Sequence, residues 1–291
     1  MNTTTIFQPK PIFSFEIFPP KRNTPLQSID GTLSALSGLS PDFISVTCGA
    51  GGSGSQTTVG VASFIQQKYH LKSAAHLPCI NLSKEEVLQT LQDFEQNGIK
   101  NILALRGDRS PEIPPKNDFH YASELISFIR EHSSCHILAA CYPEGHIEAA
   151  SPQEDLQHLK EKVAAGASHL LSQLFFDNDY FYDFLEHARA AGIEVPIEAG
   201  IMPVTNKKQI ERMVTLCGAA LPRKFQRILA HYEKSPEALR DAGIAFAIDQ
   251  IVDLLANGVD GIHLYTMNNP AIASRISEAV SSLLGREKLS A

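Results

Sequence analysis

Glu16 is the residue whose chemistry most needs explaining. It stands inside the apolar run Ser14-Phe15-Glu16-Ile17-Phe18, which stops abruptly at Pro19-Pro20. A strand of this composition buries most of its side chains, so the carboxylate must be paired, solvated in a cleft or protonated. Alternation puts Ser14 and Glu16 on one face and Phe13, Phe15 and Ile17 on the other. A rim ion pair with Lys21 or Arg22 is the structural alternative to a functional carboxylate.

The same pattern recurs along the chain, with Thr47, His76, Asp108, Tyr142, Gln173 and Tyr265 each at or near the end of a short apolar run. Arg106-Gly107-Asp108 reads either as a surface ion pair or as a site where glycine lets a flat ligand approach the backbone. Cys141 to Ala149 crowds Glu144, His146 and Glu148 into one loop. Gly49-Ala50-Gly51-Gly52-Ser53-Gly54 matches G-x-G-x-x-G, yet no acidic residue occurs between Asp42 and Glu85 to bind a ribose, and no Gly-Lys-Ser/Thr follows. That excludes the dinucleotide fingerprint and the nucleotide-hydrolase phosphate loop. What remains is a Gly/Ser loop offering N–H groups to a ligand, or a plain flexible turn. His76 and His146 lack the i, i+4 spacing of a zinc hydrolase, so no metal is expected. His263 shares a face with Tyr265 and reads as a satisfied core histidine.

The elements that must position these residues alternate. Strands are predicted over the apolar run that stops at Pro19-Pro20 and near 43–48, 73–80, 101–105, 136–142, 168–175, 195–201 and 258–265. Helices fall between them, with a longer helical section over 206–257 restarted at Ser235-Pro236. Ser83-Lys84-Glu85-Glu86 and Ser151-Pro152-Gln153-Glu154 read as capping boxes. Four helices end alike, at Asn97-Gly98, Ala165-Gly166, Ala191-Gly192 and Asn257-Gly258, each followed by a strand. Parallel β-α units in this number, over about 250 residues, predict a (β/α)8 TIM barrel, with a doubly wound open sheet as the alternative. In a barrel the polar residues named above gather at one mouth, the C-terminal ends of the strands.

Composition narrows the partners. The 291 residues are 43% hydrophobic with a net charge of -7 and no dense basic run. This argues against nucleic acid and anionic membrane and leaves small ligands. No stretch approaches the ~20 apolar residues of a membrane span, and the five cysteines form no Cys-x-x-Cys pair. A cytoplasmic protein with reduced thiols is expected.

Taken together, Ser14-Phe15-Glu16-Ile17-Phe18-Pro19-Pro20, Val46-Thr47-Cys48-Gly49-Ala50-Gly51-Gly52-Ser53, Ala104-Leu105-Arg106-Gly107-Asp108, Tyr142-Pro143-Glu144-Gly145-His146 and Gln173-Leu174-Phe175-Phe176-Asp177 resemble methylenetetrahydrofolate reductases over roughly residues 12 to 284. The resemblance implies one FAD-binding (β/α)8 barrel over 1–291 that reduces 5,10-methylenetetrahydrofolate to 5-methyltetrahydrofolate with NADH or NADPH. It implies Glu16 as general acid, Asp108 as a catalytic charge beside flavin and pterin, and Gln173, Gln209 and Tyr265 as substrate positions. Thr47, Ala50, His76, Arg106, Gly107, Tyr142, His146, Asp155 and Lys162, with Asp108, match flavin-contacting positions. Glu161 stands where familiar bacterial members carry a basic residue, and Asn269 where they carry an arginine. The chain stops before any equivalent of the regulatory domain of animal enzymes, and a homo-oligomer is expected. The alternatives are a folate- or flavin-binding subunit fed electrons by a partner protein, and another flavin barrel such as a proline dehydrogenase.

Overall fold

A computed structural model describes residues 11–21, 24–49, 55–109 and 113–286. Eight parallel strands close into a barrel in chain order: β1 (Ile12–Ile17), β2 (Phe43–Val46), β3 (Lys72–Pro78), β4 (Asn101–Leu105), β5 (His136–Cys141), β6 (His169–Ser172), β7 (Ile197–Ile201) and β8 (Gly261–Tyr265). β1 pairs with β8, Ser14 opposite His263 and Glu16 opposite Tyr265, which closes the ring. The expected (β/α)8 barrel is thus the observed fold, and the open sheet is not.

Period-2 alternation divides the side chains as the sequence implies. Phe13, Phe15 and Ile17 join the large core between strands and helices, whereas Ser14 and Glu16 face into the barrel. Ile12, Phe43, Ala74, Leu103, Leu138 and Leu171 form a separate apolar cluster.

The outer layer begins with a short 3-10 turn (Leu26–Ile29) running into α1 (Asp30–Ser37). It continues with α2 (Ser55–Tyr69), α3 (Lys84–Gln96), α4 (Ala122–His132), α5 (Pro152–Ala165) and α6 (Asn178–Ala190). Ser83 and Glu86 form the expected capping box on α3. At α5 the box is only half made: Ser151 Oγ accepts from Glu154 N, but Glu154 Oε2 accepts from Ala150 N rather than from the cap residue. Gly98, Gly166, Gly192 and Gly258 all have positive φ, the conformation that turns a finished helix back toward the next strand.

The helical section after β7 is more broken than its sequence suggests. It contains α7 (Lys207–Cys217), α8 (Arg223–Tyr232) and α9 (Pro236–Ala256). Gly218 ends α7 in the left-handed conformation and Pro222 precedes α8, a break that the apolar periodicity spans without signalling. These helices bury Ile210, Phe225 and Leu239 with Met202 and Val204 in a satellite core beside the mouth. The chain's last described helix is α10 (Pro270–Val280), capped by Asn269 Oδ1 accepting from Ile272 N.

Candidate active site

A cavity of about 670 Å³ opens at the C-terminal mouth and draws its wall from every strand end except that of β7. The gap has a local cause. Gly200 sits on β7 where the Tyr265 ring crosses, and a Cβ there would collide with Ser172 O and come within 2.9 Å of Tyr265 Cε2. Tyr265 donates its hydroxyl to Ser172 O at 2.9 Å, which fixes the ring as a wall, and burial pushes its phenol well above the ordinary range. Gly200→Ala is therefore expected to destabilise the barrel by about 1–3 kcal/mol, the usual cost of overpacking. A denaturant titration would read this as a lower midpoint at unchanged slope.

Glu16 stands in this cavity, at the end of β1. Its carboxylate is not paired to Lys21, and Arg22 lies outside the described residues. Glu16 Oε2 is instead 3.6 Å from His76 Nε2 and 3.7 Å from His263 Nε2. The loop beyond it is pinned: Phe18 N donates to Asn268 Oδ1 and Asn268 Nδ2 to Phe18 O, at 2.8 and 2.9 Å, while Thr266 Oγ1 donates to Glu16 O at 2.7 Å. The β1 and β8 ends are thus tied together by three hydrogen bonds.

His76 is buried, its Nε2 has no hydrogen-bond partner, and burial pushes its pKa down to about 4. The unfolded chain takes up this proton from its ordinary 6.5, the folded chain only near 4. Between these values the unfolded state binds more protons, so stability falls as pH falls through the window, by about 3 kcal/mol from this group. Chemical denaturation of wild type and His76→Gln at pH 7 and pH 4.5 checks this: the variant should lose less stability on acidification.

Other sequence-predicted residues converge on the same wall. Thr47, Arg106, Gly107, Asp108, Tyr142, His146, Gln173 and Tyr265 all line the cavity with Glu16 and His76. Gln173 turns its Oε1 to Leu174 N at 2.9 Å, which leaves its amide nitrogen to donate elsewhere. Asp108 is exposed at the rim. Arg106 does not pair with it but forms a two-pronged ion pair with Glu148, at 2.6 and 2.8 Å. Gly107 is also required by packing: its φ is +86° and a Cβ would meet Pro78 Cβ at 2.9 Å.

A second cavity of about 450 Å³ shares Leu105, Arg106, Ala140, Tyr142 and His146 with the first, so the two form one elongated cleft. Asp155 and Lys162 line this second part. Lys162 Nζ donates to Ala140 O at 2.9 Å and lies 5.3 Å from the Tyr142 ring centre. Burial lowers its pKa against the pull of Asp155, and burial likewise raises that of Asp155. Ala50 and most of the Gly/Ser loop lie outside the described residues.

A cleft of this kind at a barrel mouth serves many chemistries. The family model for methylenetetrahydrofolate reductase matches residues 3–281. The chain belongs to the methylenetetrahydrofolate reductase family. It is 36% identical over 272 residues to the 5,10-methylenetetrahydrofolate reductase of Pectobacterium carotovorum subsp. carotovorum, covering 94% of this chain and 89% of that protein. The enzyme of the same name in Escherichia coli K12 is 35% identical over 274 residues, covering 94% and 90%. Methylenetetrahydrofolate reductase (NADH) 1 of Arabidopsis thaliana is 37% identical over 271 residues, covering 88% of this chain and 46% of the plant protein. Among solved structures, an uncharacterized Clostridium thermocellum protein that binds two copies of 5-methyl-5,6,7,8-tetrahydrofolic acid superposes with a TM-score of 0.65, covering 95% of each chain. At 12% identity that likeness shows the fold alone.

Three positions of this methylenetetrahydrofolate reductase family member sit differently from the rest. Gln209 is in the first turn of α7 and outside the cavity wall, its amide oxygen accepting from Thr205 Oγ1 at 3.1 Å and its nitrogen 4.0 Å from Met202 Sδ. Glu161 lines the second cavity and accepts from Gln157 Nε2 one turn earlier. Asn269 serves as a helix cap, a sufficient local reason for asparagine there. Beneath the site lie two polar residues that sequence reasoning passed over, Glu198, wholly buried in β7, and His169, with Ser14 of the Glu16 face against Glu198. A lone Glu among the apolar residues of β7 was the available signal.

Proposed function

We propose that this chain reduces 5,10-methylenetetrahydrofolate to 5-methyltetrahydrofolate in a ping-pong reaction, with FAD held in the elongated cleft and NADH or NADPH as donor. The observation that carries the reading is Glu16, a carboxylate within 4 Å of two imidazoles at the mouth of a family-matched barrel.

The residues present fit FAD. The second cavity is lined by Arg106, Arg109, Lys116 and Lys162 together with Glu148, Glu154, Asp155 and Glu161. Glu148 engages Arg106 and Glu86 engages Lys116, so Lys162 and Arg109 are the cations that would hold a pyrophosphate. Lys162 is a desolvated cation, and an anionic group beside it would offset the cost that now lowers its pKa. Tyr142 and His146, packed edge to face with centroids 4.7 Å apart, offer an aromatic wall where the two cavities meet. Thr47, His76, Gly107 and Asp108 would contact the cofactor from the barrel side. When bound, FAD would supply the hydride carrier between nicotinamide and folate.

The protein's own work is on the folate. Glu16 gives its carboxyl proton to the bridging nitrogen of the imidazolidine ring: the O–H bond breaks, an N–H forms, and the ring C–N bond opens to an iminium able to accept a hydride. Asp108 offsets the positive charge of that iminium; exposed as it is, its field strengthens once ligand displaces water from the rim. Gln173 donates its amide N–H to the pterin edge, Tyr265 forms a rigid wall, and Gln209 is assigned a substrate contact from α7. The test is optical. Purified protein should carry, or take up, FAD with its yellow absorbance, and NADH or NADPH alone should bleach it without oxygen. A colourless protein that FAD cannot reconstitute would sink the reading, and bleaching by neither nicotinamide would point to a protein donor.

A further inference from the structure

Glu198 has no part in the chemistry above, yet it anchors a connected polar path through the barrel. Its Oε2 accepts from Ser14 Oγ at 2.5 Å and its Oε1 lies 2.6 Å from His169 Nε2. Ser14 Oγ also lies 2.6 Å from His263 Nδ1. On the far side of that imidazole, Nε2 lies 3.4 Å from Ser45 Oγ and 3.7 Å from Glu16 Oε2. Phe43 stacks on His263 at 6.2 Å and meets His169 edge to face, which holds both rings in place. Gly261 makes the room, since a Cβ there would stand 2.9 Å from Glu198 Cγ.

Donor and acceptor roles run one way along this path. A carboxylate only accepts, so the Ser14 hydroxyl proton is committed to Glu198 and the Ser14 oxygen must accept from its other neighbour. That neighbour is His263, which therefore carries its proton on Nδ1 and its lone pair on Nε2. We infer that Glu198, held by His169, is a positioning residue for the folate half of the reaction: through Ser14 it fixes the His263 tautomer that presents an acceptor, not a donor, to Glu16. At 3.7 Å His263 Nε2 does not hydrogen-bond Glu16, and Ser45 Oγ at 3.4 Å and His76 Nε2, 3.6 Å from Glu16 Oε2, share the space between them. The Nε2 lone pair acts on Glu16 through its field, which favours the neutral carboxyl that a general acid must be, whereas an N–H there favours the carboxylate. The inference rests on Glu16 as the acid.

The test reads the tautomer directly, by nitrogen-15 NMR of histidine-labelled protein. Native protein should show His263 as the neutral Nδ1–H form; an Nε2–H form would overturn the inference even if no variant folds. In Glu198→Gln, with His169 Nε2–H keeping the amide oxygen, the amide N–H faces Ser14 and reverses its hydroxyl. His263 should then switch to Nε2–H, reoxidation by methylenetetrahydrofolate should slow at least about tenfold, and reduction by the nicotinamide should hold its rate. An unchanged tautomer would end control by Glu198, and a switched tautomer with native reoxidation would end its catalytic consequence. Neither outcome touches Glu16 as the acid, whose own variant is tested separately.

Discussion

Glu16→Gln is expected to leave reduction by the nicotinamide near its native rate and to slow reoxidation by methylenetetrahydrofolate by about 10²- to 10⁴-fold, the contribution of a positioned acid. Donor oxidation needs no proton from the protein, whereas opening the imidazolidine ring does. Glutamine preserves the volume at the end of β1 and cannot donate a carboxyl proton. Its amide can still address His76 and His263 in turn, so the mouth should keep its shape. Stopped-flow absorbance of each half-reaction separates the two effects. Loss of both halves together would mean that the substitution acts on the fold or on cofactor binding; normal reoxidation would reduce Glu16 to a structural partner of two histidines.

Asp108→Asn is expected to give the second largest effect, a fall of about 10²-fold in folate turnover with a smaller fall in donor oxidation. The substitution removes a charge at constant shape. Asp108 is exposed at the rim and Arg106 is held by Glu148, so the barrel does not depend on this carboxylate for an internal ion pair. Thermal unfolding should therefore be unchanged, which makes the kinetics interpretable. Equal losses in both half-reactions would confine the charge to the cofactor.

Much of the barrel was legible because its signals are local. Glycines after α3, α5, α6 and α9 needed positive φ, and Ser83 could satisfy the first turn of α3 from its own sequence neighbourhood. The convergence of Glu16, His76, Asp108, Tyr142 and Gln173 followed from one rule, that strand ends share a mouth. What escaped depends on contacts between distant segments. Ser14 and Glu198 are 184 positions apart, and nothing local tells which of two imidazoles a buried carboxylate will meet. The break at Gly218 escaped because the apolar spacing continues through it. Gly107 was legible as special from its place between two charges, but the packing that also demands glycine there, Pro78 across the β3–β4 seam, was not.

The central claim is that this barrel passes a hydride to a folate it has first protonated. Its most direct test is a single turnover: protein reconstituted with FAD, reduced without oxygen, freed of excess nicotinamide and mixed with methylenetetrahydrofolate while absorbance is followed. The account predicts return of the oxidised flavin band with one equivalent of 5-methyltetrahydrofolate formed per site. A band that stays bleached, or returns without methyl product, would contradict it.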